Sequence, residues 1–536
     1  MRNLGVLLCA LVLLYSPVSN ADPVEATGLN STASITPAGP VRLNDPSEPG
    51  GAVRLPASKP SIWKRVRKGL SLYQRQDHPR IDDEIRFLKR NPSYLDITLR
   101  RAQPYLHFIV SEAEKRKVPL EFALLPIVES AYDPFAYSHG RAAGLWQFIP
   151  MTGQRFNLRQ SWWYDGRRDV YASTQAAFKY LSALHRFFDG DWLHALAGYN
   201  AGEGNVRKAV NANKARKRPY GYWHLQLPRE TELYVPRLMA IARVVANPAA
   251  YGITLPYIAD APFFEIVEIK SQIDLAQAAK LANLSIDDIY RMNPGFNQWA
   301  TDPDGPHRLL IPKTHAAAFR TELALLPESQ RLKWHRYLVR SGDTLSEIAQ
   351  RFKTTRAVVR DVNQIKGDRL KIGQALLIPT ASKRDEHYTL NVNNRVQQAI
   401  ANVNPRAGSS KIVHTVKAGD TLWDLANTYD VSVGQLAKWN SMAPGDPLRA
   451  GADLTLWVPA EITKRPGSIA LNGVNPQNTV RKFGYTVRDG DSISRIAAHY
   501  NVSMDDLLRW NSIRPGSILR PGQRLTVFVD VTQLSH

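Results

Sequence analysis

Apolar residues recur at helical spacing through the first half of the chain. Between residues 63 and 255 they repeat every three or four positions, and strand-like alternation is scarce. The segments with this spacing are Ile81–Leu88, Leu106–Val118, Leu120–Val128, Ser173–Phe188 and Leu233–Val245. Prolines fall where helices would begin or end, at Pro104, Pro119, Pro150 and Pro236. The pattern predicts one mainly α-helical domain over residues 63–255.

The second half of the chain carries three copies of one short pattern, V-x-x-G-D-[TS]-[LI]. The copies begin at Val339, Val416 and Val487. In each copy an asparagine follows the glycine at the same offset, because positions 342 to 363, 419 to 440 and 490 to 511 are all 21 apart. A constant offset indicates one repeated structural unit. The repeats cover residues 335–380, 412–460 and 483–531.

Each repeat is expected to form a β-α-α-β unit. A β-rich stretch precedes the Gly-Asp turn, and the threonine or serine that follows can cap a helix. In the first copy the two short helices are predicted over Leu345–Phe352 and Thr355–Asn363. A closing strand around Leu377-Ile378-Pro379 can then pair with the opening one.

A fourth, degenerate copy is predicted over residues 262–313. Ile269 to Leu275 fits the same frame, and Gln272 lies 21 positions before Asn293. Leu310-Ile311-Pro312 corresponds to the closing strand, although the Gly-Asp turn is lost. The copy would keep the fold without necessarily keeping a ligand. An unrelated α/β linker is the alternative.

The N-terminus is typical of exported proteins. Arg2 precedes an apolar run that is too short to span a membrane, and Ala21 lies at a small-residue cleavage site. Residues 1–21 are therefore predicted to be a signal peptide and residues 22–62 a flexible tether. The only cysteine, Cys9, follows Leu8 inside the apolar run, which disfavours lipid attachment. We expect a periplasmic or cell-envelope protein without a transmembrane segment; peripheral contact with the envelope membrane stays open.

The composition is that of a globular protein, but the formal net charge is +21. A basic chain often binds nucleic acid, yet export leaves the cell wall and the membrane surface as the anionic partners. No Cys, His or Asp spacing indicates a metal site, and no glycine-rich loop indicates a nucleotide. The sequence therefore predicts neither cofactor nor metal.

One carboxylate has a setting suited to acid catalysis. Glu129 ends the apolar helical run that begins at Leu120, so its carboxyl should be desolvated. Desolvation raises the pKa of a carboxyl group, as a general acid working near neutral pH requires. A helix-terminal glutamate paired with an arginine is the alternative explanation.

Three further segments contain glycines beside aromatic and amide residues, which suits a cleft where the backbone approaches a sugar. They are Gly144-Leu145-Trp146-Gln147-Phe148, Gly198-Tyr199-Asn200-Ala201-Gly202-Glu203-Gly204-Asn205-Val206 and Glu230-Thr231-Glu232-Leu233-Tyr234-Val235. In this order, and together with Glu129-Ser130, they resemble the family 1 lytic transglycosylases of peptidoglycan. The resemblance covers roughly residues 85–255 and implies a goose-type, lysozyme-like α fold.

The resemblance also implies a mechanism. Glu129 would protonate the glycosidic oxygen between N-acetylmuramic acid and N-acetylglucosamine, then deprotonate the C6 hydroxyl of the same muramic acid. Ring closure would leave a 1,6-anhydro end. The residues that bind or orient the sugar or the glutamate would be Ser130, Gly144, Gln147, Tyr199, Asn200 and Tyr234.

The three repeats resemble LysM modules, which bind cell-wall glycans. The resemblance implies that the Gly-Asp loop and the loop before the last strand flank a groove for N-acetylglucosamine. The loop residues are Asp343, Thr344, Leu345, Asp420, Thr421, Leu422, Asp491, Ser492 and Ile493. A purely structural role of Gly-Asp-Thr in the turn is the alternative. The whole chain would then be a multidomain protein, with a catalytic domain followed by LysM modules.

Two other functions stay open from the residues alone. A muramidase that hydrolyses the same bond would need a second carboxylate, for which Asp133, Asp165 and Asp169 are candidates. A non-catalytic wall-binding protein would not need Glu129. Glu203 is a further cleft carboxylate or a helix cap, and three tryptophans could stack on sugars or fill the core: Trp162, Trp163 and Trp192.

Overall fold

A computed structural model describes residues 59–403 except residue 139. Between 409 and 530 it describes all but 418, 430, 441, 445, 447, 449–450, 460–479, 488–491, 494–495, 498–503, 512, 514–518 and 520–522. The predicted signal peptide, nearly all of the tether and Asp491 lie outside the described residues. The chain divides into two compact units. The first comprises residues up to 403 together with 433–449, and the second comprises 404–432 together with 450–536.

The N-terminal domain is helical, as the apolar spacing predicts. Its helices are α1 (Ile62–Gly69), α2 (Pro79–Arg90), α3 (Pro92–Ala102), α4 (Leu106–Lys115), α5 (Leu125–Ser130), α6 (Pro150–Arg155), α7 (Val170–Phe187), α8 (Trp192–Ala201), α9 (Glu203–Ala215) and α10 (Arg229–Ala246). Short 3₁₀ turns lie at Tyr73–Arg75, Leu120–Leu124, Tyr222–His224 and Pro248–Tyr251. All five predicted segments are helical.

Two details differ from the prediction. The segment expected as one helix over Leu120–Val128 is a 3₁₀ turn followed by α5, because Pro126 restarts the helix at its first turn. Pro236 lies buried inside α10 and not at a helix boundary, so the prediction for that proline was wrong. Its neighbours Tyr234 and Val235 are buried as well, and this packing outweighs the hydrogen bond that a proline cannot donate.

The degenerate repeat has the predicted β-α-α-β order. Strand β1 (Phe264–Glu268) pairs antiparallel with β2 (Arg308–Pro312), and α11 (Leu275–Ala282) and α12 (Ile286–Met292) lie between them in sequence. A further helix, α13 (Lys313–Leu325), follows. We call residues 264–325 the LysM-like module.

The first full repeat follows the same plan, and its two helices match the prediction. Strand β3 (Lys333–Leu338) pairs antiparallel with β4 (Ala375–Thr380), with α14 (Leu345–Arg351) and α15 (Arg356–Val362) between them. Thr344 caps α14, because its side chain accepts a hydrogen bond from the backbone N–H of Glu347. After a 3₁₀ turn at Asp385–His387, α16 (Val392–Ala401) ends the described part of this region.

The asparagine at the constant offset joins the second helix of a repeat to its closing strand. Asn363 Nδ2 donates to Val359 O at 2.7 Å and Leu377 O at 2.8 Å, and its Oδ1 accepts from Leu377 N at 2.7 Å. Asn293 makes the corresponding three bonds in the LysM-like module, to Ile289 and Leu310. The degenerate copy therefore keeps the interaction that explains the spacing.

The later repeats contribute the sheets of the second unit. Strand β5 (Ser409–Thr415) pairs with β6 (Asp453–Pro459), and β7 (Val480–Thr486) pairs with β8 (Arg524–Asp530), both antiparallel. Their helices include α17 (Leu422–Thr428), α18 (Val433–Trp439) and α19 (Met504–Trp510), of which α18 groups with the first unit. Asn511 bonds to Leu507 and Thr526 in the same pattern as Asn363.

The N-terminal helical domain and the LysM-like module share a hydrophobic core. Trp163 and Trp299 meet edge to face with ring centroids 5.3 Å apart, and Tyr164 packs on Phe296 at 5.5 Å. All four rings are buried. Because aromatic pairs of this kind supply large buried areas, the two modules form one folded body.

Candidate active site

Glu129 lies at the end of the short helix α5. The helix follows a 3₁₀ turn in which every residue is buried, so its position is set by the core. Ala131 and Tyr132 then adopt the left-handed conformation, with φ of 50° and 54°, and end the helix. The Glu129 side chain is half-buried beside the fully buried Ile127 and Tyr132.

Desolvation and two neighbours set the protonation of Glu129. Burial raises the pKa of its carboxyl to about 8, the Tyr234 hydroxyl donates a hydrogen bond to Oε1 and lowers that pKa, and the nearby charge of Glu230 raises it. The carboxyl is therefore mostly protonated near neutral pH, as a general acid must be. Tyr234 comes from α10 and is buried, so it also fixes the orientation of the carboxyl.

A second cluster connects α8 with the first turn of α10. Thr231 Oγ1 donates to Asn200 Oδ1 at 2.6 Å, and Asn200 Nδ2 donates to Glu230 Oε1 at 3.2 Å. Both ends of the Asn200 amide are thus engaged within the protein. Asn200 positions the Glu230 carboxylate, which in turn acts electrostatically on Glu129.

Tyr199 connects α8 to the loop that precedes α6. Its hydroxyl donates to Trp146 O at 2.8 Å, and burial together with the charge of Glu129 raises its pKa well above the usual value. Tyr199 is therefore a neutral group close to Glu129. Trp146 itself is fully buried and donates to Thr174 Oγ1 at 3.0 Å, so its ring belongs to the core.

The Gly144–Gln147 turn is closely packed, so its sequence tolerates little substitution. Gly144 has a φ of +78°, and a Cβ there would lie 2.2 Å from the carbonyl oxygen of Arg167. Gln147 Nε2 donates to Gly144 O at 2.8 Å. Ser130 is buried, and its Oγ lies 3.0 Å from Leu145 O, which ties the end of α5 to this turn. Ser130 and Gly144 thus shape the backbone near Glu129.

The three candidate second carboxylates are all engaged elsewhere. Asp133 accepts from Phe135 N at 2.9 Å as a turn residue, and Asp169 caps α7 by accepting from Ala172 N at 2.8 Å. Asp165 is buried against Arg167 at 2.8 Å. Because hydrogen bonds and charge from Arg167 and Arg168 outweigh its burial, the pKa of Asp165 is lowered.

The other candidate residues have structural surroundings. Glu203 begins α9, pairs with Arg155 at 2.9 Å and accepts from Tyr180 at 3.1 Å. Trp163 packs on Trp299, and Trp192 stacks on His185 at 3.9 Å. Trp162 meets the ring of Trp163 edge to face.

In the LysM loops the aspartate holds the turn. Asp343 Oδ2 accepts from Tyr337 OH and from Arg340 N, both at 2.7 Å. Asp420 Oδ2 accepts from His414 Nε2 and Lys417 N, both at 2.8 Å.

The neighbours of these aspartates cap helices or face inward. Thr421 Oγ1 accepts from Asp424 N at 3.1 Å, as a helix cap would. Leu345 and Leu422 are buried, and Ile493 packs on the core of its repeat. Ser492 O accepts from Ile496 N at 2.9 Å. Thr344 is exposed, and its hydroxyl donates to Glu347 Oε2 at 3.1 Å while it caps α14.

The described residues include no group of three or more His, Cys, Asp or Glu side chains placed to hold a metal ion. Within the same residues, no helix has the length and apolarity needed to cross a bilayer.

Family models match the chain in the order that the geometry suggests. The transglycosylase SLT domain matches residues 107–220, the lytic transglycosylase MltD LysM-like domain matches 263–328, and the LysM domain matches 337–379, 414–457 and 485–528. Membrane-bound lytic murein transglycosylase D of Escherichia coli K12 is 38% identical over 387 residues, which cover 69% of this chain and 81% of that protein. The chain belongs to this family.

It is therefore a lytic transglycosylase with an SLT domain and peptidoglycan-binding LysM repeats. An autolysin of Enterococcus faecalis is 32% identical over 191 residues, covering 36% of this chain and 24% of that protein. The X-ray structure of lytic transglycosylase Slt from Pseudomonas aeruginosa matches at 22% identity over 33% of this chain and 28% of that chain, with a TM-score of 0.24. The predicted family and fold class are confirmed.

Glu230 and Thr231 belong to one of the three glycine-, aromatic- or amide-bearing segments of the sequence, but the sequence predicts no role for either. Their contribution depends on Asn200, which is 30 positions from Glu230 in sequence. A carboxylate in the first turn of a helix usually serves the helix dipole, so the sequence offered an ordinary explanation for Glu230.

Proposed function

We propose that Glu129 is the general acid and base of a reaction that leaves a 1,6-anhydro-muramic acid end. The observation that carries the proposal is the half-buried carboxyl of Glu129, held by Tyr234, with its pKa raised to about 8. A protonated carboxyl can donate to the glycosidic oxygen as the bond breaks. The resulting carboxylate can accept the proton of the muramic acid C6 hydroxyl, which attacks C1 of the same sugar.

The neighbours of Glu129 support this route over hydrolysis by two carboxylates. Asp133, Asp165 and Asp169 are engaged in a turn, an ion pair and a helix cap. Tyr199 and Tyr234 are neutral phenols beside the carboxyl, suited to orienting the acid and the sugar. Gln147 and Asn200 complete the proposed substrate-orienting set, with Asn200 acting through Glu230.

The proposed setting is the cell envelope. The signal peptide predicted at residues 1–21 would export the chain, and the LysM repeats would hold it on murein. The basic charge of +21 favours association with an anionic wall. Anchoring by lipid is not part of the proposal.

The test compares products from purified murein by mass spectrometry. The parent chain should release fragments with 1,6-anhydro ends, and Glu129→Gln should release none while still sedimenting with murein. The matched control is Glu322→Gln, which makes the same change at an exposed position on α13. Reducing ends from the parent would indicate a muramidase. Undiminished release by Glu129→Gln would overturn the assignment of the acid.

A further inference from the structure

The segment that follows the first LysM module returns to the LysM-like module. We call residues 381–401 the strap. Asp274, at the start of α11, is buried, and its Oδ2 accepts from Ser382 N at 2.8 Å. The hydroxyl of Tyr388, also buried, lies 3.0 Å from both carboxylate oxygens of Asp274. A satisfied buried network of this kind rigidifies what it connects.

The first LysM module also packs directly on the LysM-like module. Trp299 Nε1 donates to Lys353 O at 3.3 Å, in the connection between α14 and α15. Val358 is buried in the core of the LysM-like module and not in that of its own repeat. Lys353 Nζ pairs with Asp385 of the strap at 2.9 Å. One side of the first LysM module is thereby fixed.

A continuous set of contacts carries this attachment on to the catalytic domain. Val392 N in the strap donates to Asn297 O at 2.8 Å, and Asn297 N donates to Trp163 O at 2.7 Å. The guanidinium of Arg395 lies 4.7 Å from the centroid of the Phe135 ring. Phe135 is six positions after Glu129, so the strap contacts the loop that follows the proposed acid.

The two loops of the first LysM module that are predicted to flank the glycan groove are exposed. Gly342 and Gly373, in the two loops predicted to flank the glycan groove, are exposed, and a Cβ added to either would meet no atom within 4 Å. Ile372, beside Gly373, is 74% exposed. The predicted groove is thus accessible, while buried contacts hold the first LysM module to the LysM-like module.

We propose that the first LysM module works as a fixed ruler, which holds a glycan strand at a constant separation from Glu129 and so sets the length of the fragments released. The proposal rests on the glycan cleavage and LysM binding stated under the proposed function. A flexibly tethered module would only raise the local concentration of substrate. A rigidly placed one also restricts which bond reaches the acid.

The test uses the full chain and a pair of variants on one helix. Val358→Glu places a charge in the core shared with the LysM-like module, whereas Val362→Glu makes the same change four positions later, at a residue that is 38% exposed. Cys9 is the only cysteine, so once it is replaced by serine, spin labels can be placed on cysteines introduced at the exposed positions Lys179 and Gln350. Tyr388→Phe provides a milder second variant, since it removes only the hydroxyl bound to Asp274.

Two readouts decide the outcome. We expect a single narrow distance between the labels in the parent and in Val362→Glu, and a broad distribution in Val358→Glu and, to a smaller extent, in Tyr388→Phe. Fragment lengths from purified glycan strands, measured by mass spectrometry, should cluster around one value in the parent and spread in the variants with broadened distances. The total number of cuts should stay similar.

Unchanged fragment lengths in a variant with broadened distances would overturn the ruler, as would a broad distance distribution in the parent. The two proposals can fail separately. Products of the parent that lack 1,6-anhydro ends would contradict the proposed chemistry. The ruler is judged only from the label distances and the fragment lengths, whichever ends the fragments carry.

Discussion

The hydroxyl of Tyr234 donates a hydrogen bond to Oε1 of Glu129, from a residue that lies 105 positions later in the sequence. The bond favours the ionised carboxyl, whereas burial and the charge of Glu230 favour the protonated one. Burial prevails, and the pKa is raised to about 8. The strength of the acid therefore depends on a balance that single substitutions can shift in either direction.

Removing the Tyr234 hydroxyl should make Glu129 a weaker acid with a less fixed orientation. In Tyr234→Phe the pKa of Glu129 rises further, so the alkaline limb of the pH–rate profile moves to higher pH. The lost hydrogen bond should lower kcat about tenfold. Initial rates on purified murein between pH 5 and pH 10 check both effects. Tyr257→Phe is the control, since that exposed hydroxyl donates to the carbonyl oxygen of Lys59, at a distance from the site in sequence.

Removing the charge of Glu230 should act in the opposite direction. Glu230→Gln keeps an oxygen that can accept from Asn200 but abolishes the negative charge that raises the pKa of Glu129. The alkaline limb should move to lower pH, and activity near neutral pH should fall. Glu232→Gln, two positions later in the same helix turn, provides the control. An unshifted limb in Glu230→Gln would contradict the electrostatic role.

The buried acid should also reduce the stability of the domain at alkaline pH. Its folded pKa is raised above its unfolded value, so the free energy of unfolding falls as pH rises from about 4.5 towards about 8. Glu129→Gln cannot ionise and should gain about 1–3 kcal/mol over the parent at pH 8, a figure reduced for partial exposure of the side chain. The gain should vanish below pH 4. Calorimetry of both chains across this range tests the sign.

The repeated asparagine should be essential to each module. Asn363→Ala removes three hydrogen bonds between α15 and β4, and it should cost the first LysM module about 2–3 kcal/mol of stability. Hydrogen exchange of β3 and β4 measures the loss within the full chain. Asn394→Ala in α16 is the comparison, because it removes amide bonds outside the module. Equal exchange in both variants would show that the offset has another cause.

Much of the fold follows from local pattern, because it depends on residues close in sequence. The helical spacing locates α2, α7 and α10, and Thr344 caps α14 where a Gly-Asp-Thr turn requires a helix to begin. Helix α8 escaped prediction, because its buried residues are mostly small and its apolar stripe is weak. A Cβ at Gly198 would lie 2.9 Å from the Phe188 ring, so close packing and not periodicity places this helix.

The site was predictable only in part, because some of its contacts join residues that are far apart in the sequence. Glu129 stands out because its own helix is apolar, and Tyr234 was recognised from a motif. The Thr231–Asn200–Glu230 connection exists only once α8 and α10 are packed side by side. The core shared by Trp163 and Trp299 likewise joins residues 136 positions apart. No local sequence pattern predicts such a contact.

That shared core has a consequence for how such a chain could be rearranged during evolution. A recombination event near residue 255 would give one descendant the Trp163 and Tyr164 rings and another the Phe296 and Trp299 rings, and each would expose half of an aromatic interface. Such fragments would be prone to aggregation. We therefore expect the LysM-like module to be inherited together with the catalytic domain, as one recombining unit larger than either.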